Sequence, residues 1–150
     1  MTRLIPLDDR TFVAGQIGPD DIGGIAAAGV TLIVNNRPDH EEPGQPRSAE
    51  VRQAAEAAGL AYFDLPVAGG ISAEQAQTMA GVLDEAEGKL LAFCRSGTRS
   101  AWLWARARAS RGADPETLIS QAAAAGYDLE PLRSHLLHSD VGEERMNRST

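Results

Sequence analysis

The sequence predicts an α/β fold with a mainly parallel central sheet flanked by helices, and three observations carry that reading. Short apolar or β-branched runs alternate with helix-like segments from Thr11 to Ala125, the order that builds parallel sheets. The helix-like segments stop at glycines, at Gly29, Gly59, Gly88 and Gly126, where a left-handed residue closes a helix cheaply. The only cysteine, Cys94, stands between the apolar run Leu90–Phe93 and an alanine- and tryptophan-rich helix pattern. A thiol at that junction meets converging backbone N–H groups and the positive end of a helix dipole.

The elements follow in order. Residues 11–15 read as a short first strand. Asp20 or Asp21 is expected to cap a helix running to about Ala28. Val30–Asn35 is β-branched and apolar and reads as a buried strand. Pro38, Pro43 and Pro46 exclude regular structure from residues 36–46. Ser48 is expected to cap a helix through Ala58, and residues 60–65 form the next strand, closed by Pro66. Ser72 and Gln75 have capping-box spacing ahead of a helix to about Ala86. Residues 89–93 are the strand before the cysteine and 100–110 the helix after it. Asp114 and Pro115 start another helix, which reaches Ala125. Leu132–Leu137 reads as a final turn or two. A single domain over 1–138 with a polar, frayed tail over 139–150 is expected.

The totals narrow the function. At 150 residues the chain can bury its own core, and 43% hydrophobic with 23% charged residues is ordinary for a soluble globular protein. A formal charge of −7 argues against nucleic acid as a partner. No apolar run approaches the ~20 residues of a membrane span, and the N-terminus lacks the apolar core of a signal peptide. A lone cysteine has no internal disulfide partner, which fits a cytoplasmic location. It also excludes an internal resolving thiol, so any covalent intermediate on Cys94 must pass to water or to an outside acceptor.

Five arginines (95, 99, 106, 108 and 111) precede the next acid, Asp114. Arg106, Arg108 and Arg111 are expected on a solvated helix face. Arg95 and Arg99 belong to the cysteine loop. An arginine there grips an oxyanion in two-pronged fashion, as lysine does not. Cys94 is the candidate nucleophile and Arg99 the candidate oxyanion binder. Arg95, Ser96, Gly97, Thr98 and Ser100 complete the expected anion cradle, with Ser100 capping the helix or bonding the sulfur. In open α/β sheets ligands bind beyond the carboxyl ends of the strands, so residues 35–42 and 66–71 are expected to share the pocket. Arg37, Glu41 and Asp64 are the candidates to support it from behind. His40 lies in the same loop but is more simply an exposed loop histidine. His135 and His138 share a helical face without a third ligand. Of Trp102 and Trp104, one is expected in the core and one at a pocket wall or partner surface.

These residues carry a resemblance. Ala14-Gly15-Gln16, Val34–Asp39 with Glu41, Ala58-Gly59-Leu60, Leu65-Pro66-Val67, Cys94–Ser100 followed by Trp102, and Ala125–Leu129 resemble a bacterial family of phosphatase-like domains. That family is related to the N-terminal part of beta-lactamase hydrolase-like proteins. The resemblance covers residues 12–127 and implies a dual-specificity-phosphatase-like fold. Its members are labelled phosphatase-like hydrolases or sulfur transferases.

Two departures from the phosphatase pattern stand out. Four residues, not five, separate Cys94 from Arg99, and Phe93 stands where a histidine is usual. The spacing resembles the Cys-Arg-x-Gly-x-Arg loop of rhodanese sulfurtransferases, although the full helix–strand–helix run between Arg37 and the cysteine strand fits the phosphatase-like arrangement better. The second departure is the general acid. Residues 67–71 after Leu65-Pro66 carry no carboxylate, and Asp64 precedes the proline. A positioned acid is worth roughly 10²–10⁴-fold when a poor leaving group departs, whereas sulfite leaves thiosulfate without a proton. The leading expectation is therefore a sulfurtransferase with a persulfide on Cys94. It would use a small oxyanion or persulfide donor (thiosulfate, phosphate or sulfate-like) and an external thiol acceptor, with no metal or organic cofactor implied. A phosphate-ester hydrolase is the alternative, and a non-catalytic anion- or partner-binding module the second alternative.

Overall fold

The computed structural model describes residues 3–137. The expected tail over 139–150 and His138 lie outside the described residues. The strands are β1 (Ile5–Pro6), β2 (Thr11–Ala14), β3 (Val30–Asn35), β4 (Ala61–Asp64) and β5 (Lys89–Phe93). They form one sheet in the order β1-β2-β5-β3-β4. The four longer strands run parallel, and β1 pairs antiparallel with β2, so the sheet is mixed but mostly parallel. The sequence reading did not include β1, which is two residues long and contains Pro6. Proline cannot donate to a ladder and is tolerated at an edge.

The helices are α1 (Ile22–Ala27), α2 (Ser48–Ala57), α3 (Ala73–Glu85), α4 (Thr98–Ser110) and α5 (Pro115–Ala124). β5 explains why they divide between two faces. Its side chains alternate: Leu90 and Ala92 enter one core with Met79, Leu103, Trp104 and Leu118, while Leu91 and Phe93 enter another with Ile25, Ile33, Val51 and Tyr62. A strand covered on both faces must be apolar throughout, and this one is after Lys89. α1 and α2 therefore cover one face, and α3, α4 and α5 the other. Removing a side chain such as Leu91, fully buried, would cost about 2–5 kcal/mol.

Two of the expected caps form and two do not. Asp21 stands at the N-cap position of α1, but its side chain makes no cap bond to that helix and accepts the Gly18 N–H at 2.9 Å; Ser48 is the other. Gln75 N–H donates to Ser72 Oγ at 3.0 Å, and the Gln75 side chain accepts the Ser72 N–H at 2.8 Å. Asp114 Oδ2 accepts the Thr117 N–H at 3.0 Å ahead of Pro115. Ser48 does not cap α2. It is the first helical residue, its N–H donates to Asp39 Oδ1 at 2.8 Å, and its hydroxyl turns to Tyr62 and Asp64. A carboxylate nine residues upstream does the capping, which a local pattern does not reveal.

Of the three arginines expected on a solvated face, Arg108 and Arg111 are exposed, and Arg106 departs by being half-buried. Arg106 donates to the Ile71 carbonyl. Arg111 pairs with Asp84 at 2.9 Å and reaches Gln77 at 3.3 Å. Both tie α4 to α3 or to the loop before it.

The strand register brings the carboxyl ends together. Ala14, Phe93, Asn35 and Asp64 lie in one row across β2, β5, β3 and β4. The segments that follow them leave from the same edge of the sheet.

Candidate active site

Cys94 follows the last residue of β5, and its side chain is 1% exposed. Its N–H donates to the Ala14 carbonyl at 3.3 Å, which extends the strand pairing by one residue. The chain then turns into α4 at Gly97, whose φ of +94° is left-handed. A Cβ at that position would sit 2.2 Å from the Tyr127 hydroxyl oxygen. Glycine is thus required both by backbone angle and by space. The turn aims the Gly97 N–H at the sulfur, and Cys94 Sγ accepts it at 3.1 Å. The sulfur thus lies at the amino end of α4, against a backbone N–H donor.

The rest of the loop is built around that turn. Gln16 N–H donates to the Arg95 carbonyl at 3.2 Å, and a Cβ on Gly15 would come within 3.0 Å of the same oxygen. The hydroxyls of Ser96 and Thr98 bond each other at 3.2 Å. The Arg95 side chain is 69% exposed and approaches Glu42 at 3.7 Å. Ser100 departs from expectation. α4 begins two residues earlier, at Thr98, so Ser100 is neither its cap nor a partner of the sulfur. Its buried hydroxyl donates to Asn36 Oδ1 at 2.8 Å and ties α4 to the end of β3.

Arg99 lies in the first turn of α4. Its two terminal nitrogens bind Glu41 Oε2 at 2.7 Å and Oε1 at 2.8 Å, and Nη1 also donates to the Val67 carbonyl at 2.8 Å. Glu41 is shared with Arg37, whose Nε donates to Oε1 at 2.8 Å. Arg37 is 3% exposed and fully engaged: Nη1 donates to Gln16 Oε1 at 3.0 Å and Nη2 to Glu42 Oε1 at 2.8 Å. The hydrogen bonds from Arg99, reinforced by Arg37 against the cost of partial burial, hold the Glu41 carboxyl down at about 2. Glu41 and the negative sulfur of Cys94 together raise the Arg99 pKa. The guanidinium that interacts with Cys94 is therefore fixed by a carboxylate behind it.

Of the residues singled out in the sequence, the structure brings together Cys94, the loop 95–99, Arg37 and Glu41. Asp64 is not among them. It ends β4, two strands from Phe93, roughly 10 Å at the usual strand spacing. There it binds Arg52 Nη2 at 2.8 Å and the Ser48 hydroxyl. Its partners are on α2, outside the cradle. His40 adopts φ +65° in the loop before Glu41, an exposed turn position. Trp104 is fully buried and Trp102 is half-buried, its Nε1 donating to the Asp128 carbonyl at 3.1 Å. Among the described residues no cluster of three or more His, Cys, Asp or Glu is placed to hold a metal, and no helix is long and apolar enough to cross a membrane.

Three residues at the site received no role from the sequence. Gln16 braces Arg37 and the Arg95 carbonyl, Asn36 receives Ser100, and Tyr127 reaches the loop through a hydrogen bond to the Ser96 carbonyl at 3.2 Å. All three lie in stretches that carried the family resemblance. Membership of those stretches was the only signal available before the fold.

The comparisons with known proteins agree with this architecture. Residues 4–111 match the family model described as beta-lactamase hydrolase-like protein, phosphatase-like domain. A beta-lactamase hydrolase-like protein of Xylella fastidiosa (strain 9a5c) is 38% identical over 104 residues, 69% of this chain and 24% of its own length. One of Agrobacterium fabrum is 36% identical over 111 residues, 73% of this chain and 26% of its own length. The chain thus spans about a quarter of the length of the curated relatives it matches. Among solved structures, a protein from Neisseria meningitidis Z2491 named as a candidate phosphatase superposes with a TM-score of 0.79 at 36% identity, covering 90% of this chain and 96% of that one. A kinase-associated phosphatase with its catalytic cysteine replaced by serine gives a TM-score of 0.75 at 14% identity, covering 95% and 94%. At that identity the likeness shows the fold alone, which is that of the dual-specificity phosphatases. With the family model over most of its length and a relative of 36% identity along nearly all of another chain, this chain belongs to the phosphatase-like domain family of the beta-lactamase hydrolase-like proteins.

Proposed function

We propose that the chain is a cysteine-dependent hydrolase of phosphate esters. The observation that carries the reading is the Gly97 N–H on Cys94 Sγ at 3.1 Å, with the pinned Arg99 guanidinium beside it. The family and the names of its solved relatives support it. They favour hydrolysis over the sulfur transfer that the sequence reading placed first.

In the proposed reaction Cys94 attacks phosphorus, a P–S bond forms and the ester P–O bond breaks. N–H groups of the loop and Arg99 bind the equatorial oxygens, where negative charge is held. Water then cleaves the P–S bond and releases phosphate and thiolate. The leaving oxygen takes its proton from water, because residues 67–71 carry no carboxylate and Asp64 is held by Arg52 and Ser48. Esters with acidic leaving groups, such as aryl phosphates, are therefore the preferred substrate class, and alkyl esters should lag by about 10²–10⁴-fold.

Two features of the sequence favour a second reading. The four-residue spacing between Cys94 and Arg99 and the missing acid suit attack on the outer sulfur of thiosulfate. There an S–S bond breaks, sulfite leaves, and the persulfide on Cys94 passes to an external thiol in a reducing compartment such as the cytoplasm.

One pair of assays tests both. Nitrophenyl phosphate turnover is measured for the native chain and Cys94→Ser, and intact mass is recorded after thiosulfate with and without a thiol reductant. Turnover lost in Cys94→Ser supports the hydrolase. A reducible gain of one sulfur without ester turnover replaces it with the transferase. If neither appears while phosphate still raises thermal stability, the cradle binds anions without turnover.

A further inference from the structure

Tyr127 touches the cysteine loop without belonging to any element of the proposed reaction. It follows Gly126, whose φ of +95° ends α5, and its N–H is held by the Ala122 carbonyl at 2.8 Å. The next residue, Asp128, is tied to α4 by the Trp102 indole. The ring is thus delivered by a segment anchored to two helices. Its hydroxyl packs against Gly97 and donates to the Ser96 carbonyl at 3.2 Å.

That carbonyl and the Gly97 N–H belong to the same peptide unit. In a planar trans peptide the C=O and N–H point in opposite directions, and no cis peptide is present among the described residues. A carbonyl drawn out toward Tyr127 therefore turns its N–H inward, where Cys94 Sγ accepts it at 3.1 Å. The preceding peptide repeats the arrangement: the Gln16 N–H holds the Arg95 carbonyl outward at 3.2 Å. Successive inward N–H groups make an anion-binding concavity. Glycine at 97 is free to rotate its flanking peptides, so the outward anchor is what removes that freedom.

We infer that Tyr127 is a positioning residue for Cys94, locking the Ser96–Gly97 peptide so that the Gly97 N–H stays on the sulfur. The inference rests on the reading of Cys94 as a thiolate nucleophile. The charged and titratable groups around that thiol are Arg99 on α4, Arg95 in the loop, Glu41 and Arg37 behind Arg99, Glu42 against Arg95 and Arg37, and Tyr127 itself. Burial first, and then the negative charge of Cys94, raise the Tyr127 pKa. The phenol therefore remains a proton-bearing donor across the neutral range.

Tyr127→Phe keeps the ring on Gly97 and removes only the donor. The pH midpoint of Cys94 alkylation by iodoacetamide should rise by about one unit, a roughly tenfold loss of thiolate on the acid side of the midpoint. A folded Tyr127→Phe protein whose midpoint is unchanged overturns the inference, whatever happens to its melting temperature. A second measurement needs no variant at this position. With only two tyrosines in the chain, the Tyr127 ring-carbon resonance can be assigned. It should titrate with the Gly97 amide at one shared midpoint that disappears in Cys94→Ser. Absence of that shared midpoint equally sinks the idea. Alkylation requires no turnover, so a shifted midpoint in a protein that hydrolyses no phosphate ester removes the proposed reaction and leaves the role of Tyr127 standing.

Discussion

Two arginine–carboxylate systems stand at the same edge of the sheet, and they differ in what surrounds them. Asp64 and Arg52 meet at 2.8 Å on the outside of β4 and α2, with side chains 41% and 42% exposed. Glu41 meets Arg37 and Arg99 at 2.7–2.8 Å, and the side chain of Arg37 is only 2% exposed. Both carboxylates looked alike in the sequence, each near the carboxyl end of a strand. The outer pair sits in solvent, where Coulomb attraction is screened and side-chain entropy offsets most of the rest. The inner one holds a buried guanidinium, so removing it would leave the Arg37 Nε without its acceptor in a place that water does not reach. Burial, more than distance, separates a structural link of the site from a surface contact.

The largest test of this contrast is Arg99→Lys. Lysine cannot bind Glu41 and an oxyanion with two parallel N–H groups, so kcat/KM on an aryl phosphate should fall about 10²–10³-fold. Circular dichroism should show the fold retained. A loss below about threefold would disconnect Arg99 from the reaction.

Glu41→Gln should cost about 2 kcal/mol in a denaturant titration, since Arg37 then keeps only Glu42 as a charged partner. The pH dependence has a definite sign. The Glu41 carboxyl falls from 4.5 to about 2 on folding, so the native state favours its ionised form. Its contribution is complete above pH ~4.5 and declines as pH falls toward about 2. Native and Glu41→Gln stabilities should converge across that window. Curves that stay parallel would mean that the carboxylate charge is not what secures the loop. The smallest effect is expected from Asp64→Asn, within about 0.5 kcal/mol of native stability and with unchanged kcat/KM. A large loss of activity there would return Asp64 to the site as an acid and reverse the comparison.

What could be read in the sequence follows chain distance. β5, the Cys94 turn and α4 were legible because an apolar strand, a glycine and a helix pattern follow one another within about twenty residues. The capping box at Ser72 and the Asp114 cap were equally local. The Asp39 cap on Ser48, the Glu41–Arg99 pair 58 residues apart and the Tyr127 contact with Ser96 31 residues away were not. Each depends on which loops the strand order places side by side, and β3 lying between β4 and β5 is a property of the whole sheet.

By itself the sequence determined the α/β class, the lone thiol, the four-residue spacing to Arg99 and the missing carboxylate after Pro66. These are matters of periodicity and residue identity, and no folding can alter them. Only the tertiary structure decided that Glu41 joins Arg37 and Arg99 while Asp64 joins Arg52, that Ser100 serves Asn36 and not the sulfur, and that Tyr127 reaches the cradle. Those outcomes depend on burial and on contacts between distant segments, which exist only once the sheet has brought the strand ends into one row.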